Sequence, residues 1–475
     1  MNRLATSGAR VASNHSTALL VLAALPLAAL AGTKVGPVAD QFGTFKFIWV
    51  ILTAFGGLVA VVNLRVGMAV LLLCLAFPFR TKVLFGLEIH TTQLVEIAVI
   101  AVALSRASMQ SLSVRRGMGL PISLMVAGGV AGAIAGPDLG GSLERLFVGL
   151  VPALAIMVIA AASLHPDRDL RPLLYVTAFA LAGTGIVALL QSQGHTLPGV
   201  PLFEQGRVNG FFFHPNILGG YLSATTLLLI GAAAFARKGF RTVPTMFIAP
   251  IVFGLAGMGV TLSRGALVGF AVGLVVIIGF VLTQRRLVSV LGVMLVIVLS
   301  IAAAVPQISP KDRQQYAERF AELRKPGAET GRSLIYRVAR DTALDHPLTG
   351  IGPLAFGKVM RSSPLSPGFV GGATHSHSVL FEGFLSLGPI GFAGFVLLVI
   401  ASVRRLLAVA RPRSRHLDPV RRGWALGSLA ALTALAVQGM VDFIFWQVEL
   451  LVYVFLLLGI AWTLMPEDDD RRAAP

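Results

Sequence analysis

Two histidines stand close together at the end of a long hydrophilic stretch, in the segment 374–378 (THSHS). An imidazole can accept a proton near neutral pH, and a sugar hydroxyl must lose a proton when it attacks an electrophile. Glu382 follows at the start of an apolar run. A histidine at a membrane interface is often only structural, but this pairing makes His375, His377, Ser378 and Glu382 candidate site residues.

Arginines recur where polar segments meet apolar ones, and a guanidinium group there can bind phosphate. Arg264 follows Ser263 at the junction of two apolar runs, and Arg332 begins an amphipathic stretch that continues with Tyr336 and Arg340 at four-residue spacing. Arg264 could instead extend to water from a membrane surface, and the other two arginines could lie on a solvated helical face. We predict a phosphate-binding role for Arg264, and a second one for Arg332 with Tyr336 and Arg340 on the same stripe of the helix; Ser263 is a further candidate at the substrate.

A third cluster, residues 207–216, precedes another apolar run. We expect Asn216 to cap the helix that begins at Ile217, whose first N–H groups would suit an anion. A capped helix behind a proline turn is the structural alternative for His214 and Asn216. We expect Arg207 either to contact a ligand or to order the loop.

The elements that position these residues must lie in a membrane. The chain of 475 residues is 55% hydrophobic and only 13% charged, with a mean hydropathy of +0.81. That is more apolar surface than a soluble domain can bury. The net charge of +17 lies in short clusters between apolar runs, which is typical of membrane topology and argues against a nucleic-acid partner. The single cysteine, Cys74, excludes an intramolecular disulfide.

Apolar runs of membrane-spanning length recur along the whole chain, and we predict about 12 to 14 crossings. We expect the first run to remain as a helix, although it also resembles a cleavable signal peptide. The runs are 17–35, 46–63, 66–79, 90–104, 120–136, 144–164, 171–191, 216–236, 244–262, 265–283, 288–306, 378–402, 424–441 and 446–465.

Clusters of Lys and Arg occupy every second loop, which predicts that these loops and both termini are cytoplasmic. The segments 192–215 and 307–376 then lie on the opposite side. The second is long enough for a structured cap, with helices predicted at 311–324 and 331–344. We divide the chain into membrane helices (1–206), membrane helices that carry part of the site (207–306), the large loop (307–376), and C-terminal helices with a cytoplasmic tail (377–475).

In their order, these motifs resemble the O-antigen ligase and Wzy-type polymerase family. The resemblance spans residues 207–391: Arg-x-x-Gly and Pro-Asn before a membrane helix, Ser-Arg-Gly at a helix junction, Gly-Arg and Gly-Ile-Gly-Pro, then His-Ser followed by Glu and Gly-x-x-Gly. The family usually has asparagine at the position of Ser378. The resemblance implies an all-α, polytopic, GT-C-like protein of the bacterial inner membrane, with one large periplasmic helical loop.

The resemblance also implies a reaction: transfer of glycan at the periplasmic face from an undecaprenyl-diphosphate-linked donor to an acceptor glycan, lipid A core or protein. Arg264 and Arg332 would bind the diphosphate, and His377 would assist the acceptor hydroxyl. The other candidates are expected at the substrate: Arg207, Asn216, Ser263, Tyr336, Arg340, His375, Ser378 and Glu382. We predict inversion at the anomeric carbon. We predict no metal and no cofactor, because the sequence lacks the familiar metal and nucleotide motifs.

Several alternatives stay open at this point. A ligase and a polymerase use the same donor chemistry, and neither the sugar nor the oligomeric state is indicated. A transporter or flippase without transferase activity is an alternative from another class, but it should carry matching polar positions in two related halves. We find no internal repeat. Asp442 and Glu449, near the outer ends of the last two helices, are candidates to orient the histidine or an arginine.

Overall fold

The computed structural model describes residues 63–78, 80–82, 88–107, 117–195, 207–235, 243–283, 331–364, 374–411, 417–442 and 446–465, with the single residues 314 and 414. Several predictions fall outside these ranges. They concern the spans 17–35 and 288–306, nearly all of the span 46–63 and of the helix 311–324, and both chain termini.

The described chain is almost entirely helical. Its helices are α1 (Leu64–Ala76), α2 (Thr91–Ala107), α3 (Gly119–Ala135), α4 (Leu139–Arg145), α5 (Val151–Ser163), α6 (Pro166–Ser192), α7 (Pro215–Ala234), α8 (Val243–Val260), α9 (Arg264–Thr283), α10 (Gly331–Asp345), α11 (Phe356–Ser362), α12 (Val379–Ala410), α13 (Pro419–Gly439) and α14 (Val448–Thr463). A π-helical turn, Leu146–Leu150, joins α4 to α5. Strands β1 (Arg80–Lys82) and β2 (Glu88–His90) form an antiparallel ribbon in which Thr81 faces Ile89.

Five described helices are long and apolar enough to cross a membrane: Leu139–Ser163, Pro166–Ser192, Pro215–Ala234, Arg264–Thr283 and Val379–Ala410. Five further apolar helices are shorter: Leu64–Ala76, Thr92–Leu104, Gly119–Ala135, Met246–Val260 and Val448–Thr463. Their bounds follow the apolar runs of the sequence. A segment in lipid must satisfy its backbone hydrogen bonds internally, and an apolar helix does so. The prediction of a polytopic α-helical membrane protein is confirmed.

Helix α7 lies at the centre of the bundle. In its apolar stretch 94% of the residues are buried, against 33% in α9, whose outer face is left for lipid. Glycines let α7 and α13 approach closely, because a Cβ at Gly231 would lie 2.4 Å from the Cα of Gly427. The same device joins α3 to α12, where a Cβ at Gly128 would lie 2.6 Å from the Cα of Gly391. The central helices thus form a tight frame for the loops at their ends.

Helices α10 and α11 form a cap on the N-terminal part of α12. Its small apolar core includes Ile335, Val338 and Phe356, and it is closed by Leu385 of α12. The Leu385 carbonyl also accepts a hydrogen bond from the Ile351 N–H, at 2.6 Å. The amphipathic helix predicted at 331–344 is therefore present, and its residues Ile335 and Val338 are buried in the core of the cap.

The two ends of the bundle differ in their charges. At one end, which we call the basic end, arginines meet carboxylates on α6: Arg421 Nε lies 2.9 Å from Asp167 Oδ1, and Arg65 Nε lies 3.1 Å from Asp169 Oδ1. At the other end, the cavity end, the segments before α7, α9 and α12 and after α13 converge. These four segments contain most of the polar residues that the sequence singles out.

Candidate functional site

The candidate residues from separate parts of the sequence meet around a cavity of about 680 Å³ at the cavity end. Its lining includes three arginines, three histidines and one aspartate: Arg207, Arg264, Arg332, His214, His375, His377 and Asp442. A surface with this many cationic groups attracts anions. Among the described residues, no group of three or more His, Cys, Asp or Glu side chains is arranged to hold a metal ion.

Arg207 joins two of the converging segments. Its Nη2 donates to the Asn216 side-chain oxygen and to the Thr261 carbonyl oxygen, both at 2.9 Å, and its Nε donates to the same carbonyl at 3.3 Å. The residue is 5% exposed. Of the two roles that the sequence allowed, these contacts favour ordering of the loop, because several donors are already turned toward the protein.

The start of α7 differs from the prediction for Asn216. The N-cap is His214, whose Nδ1 accepts a hydrogen bond from the Asn216 N–H at 3.1 Å, so the expectation that Asn216 caps this helix is wrong. Asn216 instead lies inside the first turn, where its carbonyl accepts from Gln438 Nε2 at 2.8 Å. His214 and Asn216 both line the cavity. The bond from Gln438 to Asn216 fixes the start of α7 against α13.

A tight turn places Arg264 at the cavity. Leu262 has a positive φ of 56°, and the hydroxyl of Ser263 accepts from the Ala266 N–H at 3.4 Å, which caps α9. Ser263 is 1% exposed and is not among the cavity-lining residues, so it supports the helix start rather than touching the cavity. Arg264 is the first residue of α9, and it lines the cavity.

The cap brings Arg332 to the cavity, whereas Tyr336 is not among the lining residues and contacts the loop that carries His377. Arg332 lines the cavity, and the Tyr336 hydroxyl donates to the His377 carbonyl oxygen at 3.2 Å. Burial raises the pKa of Tyr336, against the opposing effect of Arg332, so this hydroxyl remains a donor. Arg340 is outside the cavity: it pairs with Asp341 at 2.8 Å on the surface.

The two histidines lie edge to face, with ring centroids 4.1 Å apart. Burial lowers the pKa of His375 to about 3, and the neighbouring His377 contributes to the shift, so His375 is neutral at physiological pH. His377 Nδ1 lies 3.8 Å from Asp442 Oδ1, and the Asp442 side chain is 9% exposed. This separation is too long for a hydrogen bond but short enough for strong attraction to an imidazolium.

The carboxylates near the ends of α13 and α14 behave differently. Asp442 was one of two candidates to orient a histidine, and it is the one beside His377. Glu449 is not among the cavity-lining residues, and it is buried where it interacts electrostatically with Glu96. Sequence position alone did not separate these two, since both fall near outer helix ends.

Ser378 and Glu382 do not line the cavity, contrary to the expectation that they contact substrate. Ser378 is the residue before α12, and its carbonyl accepts the Glu382 N–H at 2.8 Å. Glu382 is 1% exposed, and its carboxylate accepts from Ser376. Both residues hold the loop that carries the histidines, because the helix start turns their polar atoms inward.

Comparison with known proteins bears on the same part of the chain. A search of curated proteins gave no significant match. Residues 249–396 match the family model described as O-antigen ligase. This segment contains Arg264, Arg332 and both histidines of the loop, while Asp442 lies beyond it. The match confirms the resemblance carried by the motifs and supports an O-antigen ligase-like family for this chain.

Proposed function

We propose that this protein transfers glycan from an undecaprenyl-diphosphate-linked donor to an acceptor hydroxyl, as an O-antigen ligase or a polysaccharide polymerase. The observation that carries the proposal is the shared cavity of two arginines and a histidine beside a carboxylate: Arg264, Arg332 and the pair His377–Asp442. These groups suit the two needs of the reaction. One is a cationic site for the leaving diphosphate, and the other is a base for the attacking hydroxyl.

The arginines would hold the diphosphate from two sides. Arg264 comes from the start of α9, and Arg332 comes from the cap. The diphosphate gains negative charge as the bond to the sugar breaks, so guanidinium groups stabilise the transition state more than the ground state. The start of α9 adds backbone N–H groups and the positive end of a helix dipole.

His377 would accept the proton of the acceptor hydroxyl. Because Nδ1 faces Asp442, Nε2 is the ring nitrogen left for the substrate. The acceptor oxygen forms a bond to the anomeric carbon, the bond to the diphosphate oxygen breaks, and the leaving diphosphate keeps that electron pair. The proton moves to Nε2, and Asp442 stabilises the resulting imidazolium. Attack from the face opposite the leaving group inverts the anomeric carbon, and no metal takes part.

Exposed apolar residues at the cavity support a lipid-linked donor. Phe213 is 60% exposed, Val268 is 56% exposed, and Met440 and Val441 are 45% and 41% exposed, and all four line the cavity. Such residues on a membrane helix bundle can face lipid, so a polyprenyl chain could remain in the bilayer while its diphosphate enters the cavity.

The charges support a location. The basic end contains arginines of the kind that stay on the cytoplasmic side, so we propose that the cavity end lies at the periplasmic face. We therefore propose a multi-pass protein of the bacterial inner membrane with both termini in the cytoplasm.

The test is product formation in proteoliposomes from an undecaprenyl-diphosphate-linked glycan, with chelator present and protein amounts matched. We expect wild type to form product, and His377→Ala to lose about 10²- to 10⁴-fold in rate because the base is gone. Asp442→Asn should lose less, about ten-fold, because the base remains and only its attraction to a carboxylate 3.8 Å away is lost. His165→Ala, at the basic end, is the control and should match wild type. A His377→Ala rate equal to wild type would refute the assigned base.

The same assay addresses the transporter alternative. Movement of labelled donor across the bilayer, without any covalent product from glycan, lipid A core or protein acceptors, would favour a flippase. The labelled acceptor in an active preparation would distinguish a ligase from a polymerase.

A further inference from the structure

We propose that Glu382 is a positioning residue that fixes the backbone conformation of His377 through Ser376. The inference rests on the proposed function of His377 and assigns Glu382 a role different from substrate contact.

His377 has a positive φ of 51°, in the left-handed region. A residue with a Cβ rarely adopts this conformation unless its surroundings impose it, and such residues concentrate at functional sites. The cap supports this conformation through the Tyr336 hydroxyl, which donates to the His377 carbonyl. Additional constraints act on the neighbours of His377.

Glu382 binds the residues on both sides of His377. Its Oε2 lies 2.9 Å from the Ser376 backbone N and 2.8 Å from the Ser376 hydroxyl. Its own backbone N–H donates to the Ser378 carbonyl at 2.8 Å. One residue thus fixes positions 376 and 378, and His377 between them has little freedom. The arrangement resembles a capping box, in which a glutamate in the first turn reaches back to an N–H before the helix.

The carboxylate is itself held in place. Ser386, one turn further along α12, has its hydroxyl 3.5 Å from Glu382 Oε1, and Trp446 Nε1 donates to that hydroxyl at 2.9 Å. Glu382 and Ser376 are 1% and 0% exposed. Burial strengthens hydrogen bonds to a carboxylate and keeps water from competing for them. This buried chain reaches the segment after α13, which also contains Asp442.

Burial also predicts how the effect appears in kinetics. Glu382 does not line the cavity, so its loss leaves the donor-binding groups in place and changes the position of the base. A misplaced base slows the chemical step, whereas a lost substrate contact that acts equally in the ground state raises KM. Glu382 should therefore affect kcat far more than KM for the donor.

The experiment measures kcat and KM in proteoliposomes with an undecaprenyl-diphosphate-linked glycan, for folded protein matched by amount and melting temperature. We expect Glu382→Ala to lower kcat about 30-fold with KM within about two-fold. Glu382→Gln should retain at least about one third of wild-type kcat, because its side-chain oxygen can accept from both Ser376 donors. Leu380→Ala, in the same first turn of α12, is the matched control and should resemble wild type, because Leu380 is 50% exposed and does not line the cavity.

A double variant separates this inference from the proposed function. If Glu382 acts through His377, adding Glu382→Ala to His377→Ala should cause no further loss of rate. The inference is overturned by a further loss in the double variant, by a rise in KM at unchanged kcat, or by Glu382→Gln being as slow as Glu382→Ala. Full activity of His377→Ala alone would refute the proposed base instead.

Discussion

The two ends of the helical bundle use charge in opposite ways. At the basic end, Arg421 and Arg65 each meet a carboxylate of α6. At the cavity end, three arginines line a cavity in which Asp442 is the one acidic residue of the described lining. Charges that are balanced by partners hold helices together, whereas an excess of one sign produces a field that draws in a ligand. The comparison suggests that the cavity end is built for an anion.

The difference between the two ends is tested most directly by removing one arginine from each end. We expect Arg264→Ala to lower kcat/KM for an undecaprenyl-diphosphate-linked glycan by about 10²- to 10³-fold, because a donor that stabilises the leaving charge is lost. Arg421→Ala removes an ion pair with Asp167 at the end of the bundle opposite the cavity, and should leave activity unchanged. Equal losses in the two variants would show that the ends do not differ in function.

Two arginines of helix α10 differ in the same way. Arg332 and Arg340 lie two turns apart on α10, but Arg332 lines the cavity while Arg340 pairs with Asp341 at the surface. We expect Arg332→Ala to lower kcat/KM by about 10- to 100-fold and Arg340→Ala to change it by less than about two-fold. Donor turnover at matched protein amounts measures both, and a greater loss for Arg340→Ala would contradict the placement of the cap.

The smallest effect concerns acid stability rather than rate. Burial lowers the pKa of His375 to about 3 from an ordinary value of 6.5, so the unfolded chain binds more protons between these values. Folding stability should therefore fall as pH drops below 6.5, by at most about 1.4 kcal/mol per pH unit from this residue. We expect His375→Asn to weaken the loss of melting temperature in detergent between pH 7.5 and pH 5.

The control for that experiment is His195→Asn, because His195 is exposed just after the end of α6. This variant should keep the wild-type dependence of melting temperature on pH. An identical pH dependence in wild type and His375→Asn would mean that His375 is not held neutral by burial.

Hydropathy predicted the described membrane helices well, since lipid demands long apolar helices regardless of their partners. The span predicted at 265–283, for example, is helix Arg264–Thr283. The direction of individual polar side chains was harder to predict. Asn216 and His214 are both reasonable N-cap residues, and only the turn before α7 decides that His214 accepts the bond.

The candidate site shows the same division. Arg264, Arg332, His375 and His377 line the cavity, as their positions at segment boundaries suggested. Glu382 was expected to face substrate, but the fold of the loop before α12 turns its carboxylate toward Ser376. A hydrogen bond of this kind depends on the backbone conformation of the loop, and residue type and spacing do not reveal that conformation.

Helix α12 is interrupted at Gly388, whose φ of +62° is followed by Pro389. The segment before this break packs into the apolar core of the cap, and the segment after it continues through the membrane helices. Arg332 of α10 and the loop of His377, which leads into α12, therefore belong to the unit formed by the cap and the start of α12. Arg264 belongs to the membrane helix α9. The base and one arginine therefore come from one structural unit and the second arginine from another, so the site is complete only where the two units pack together.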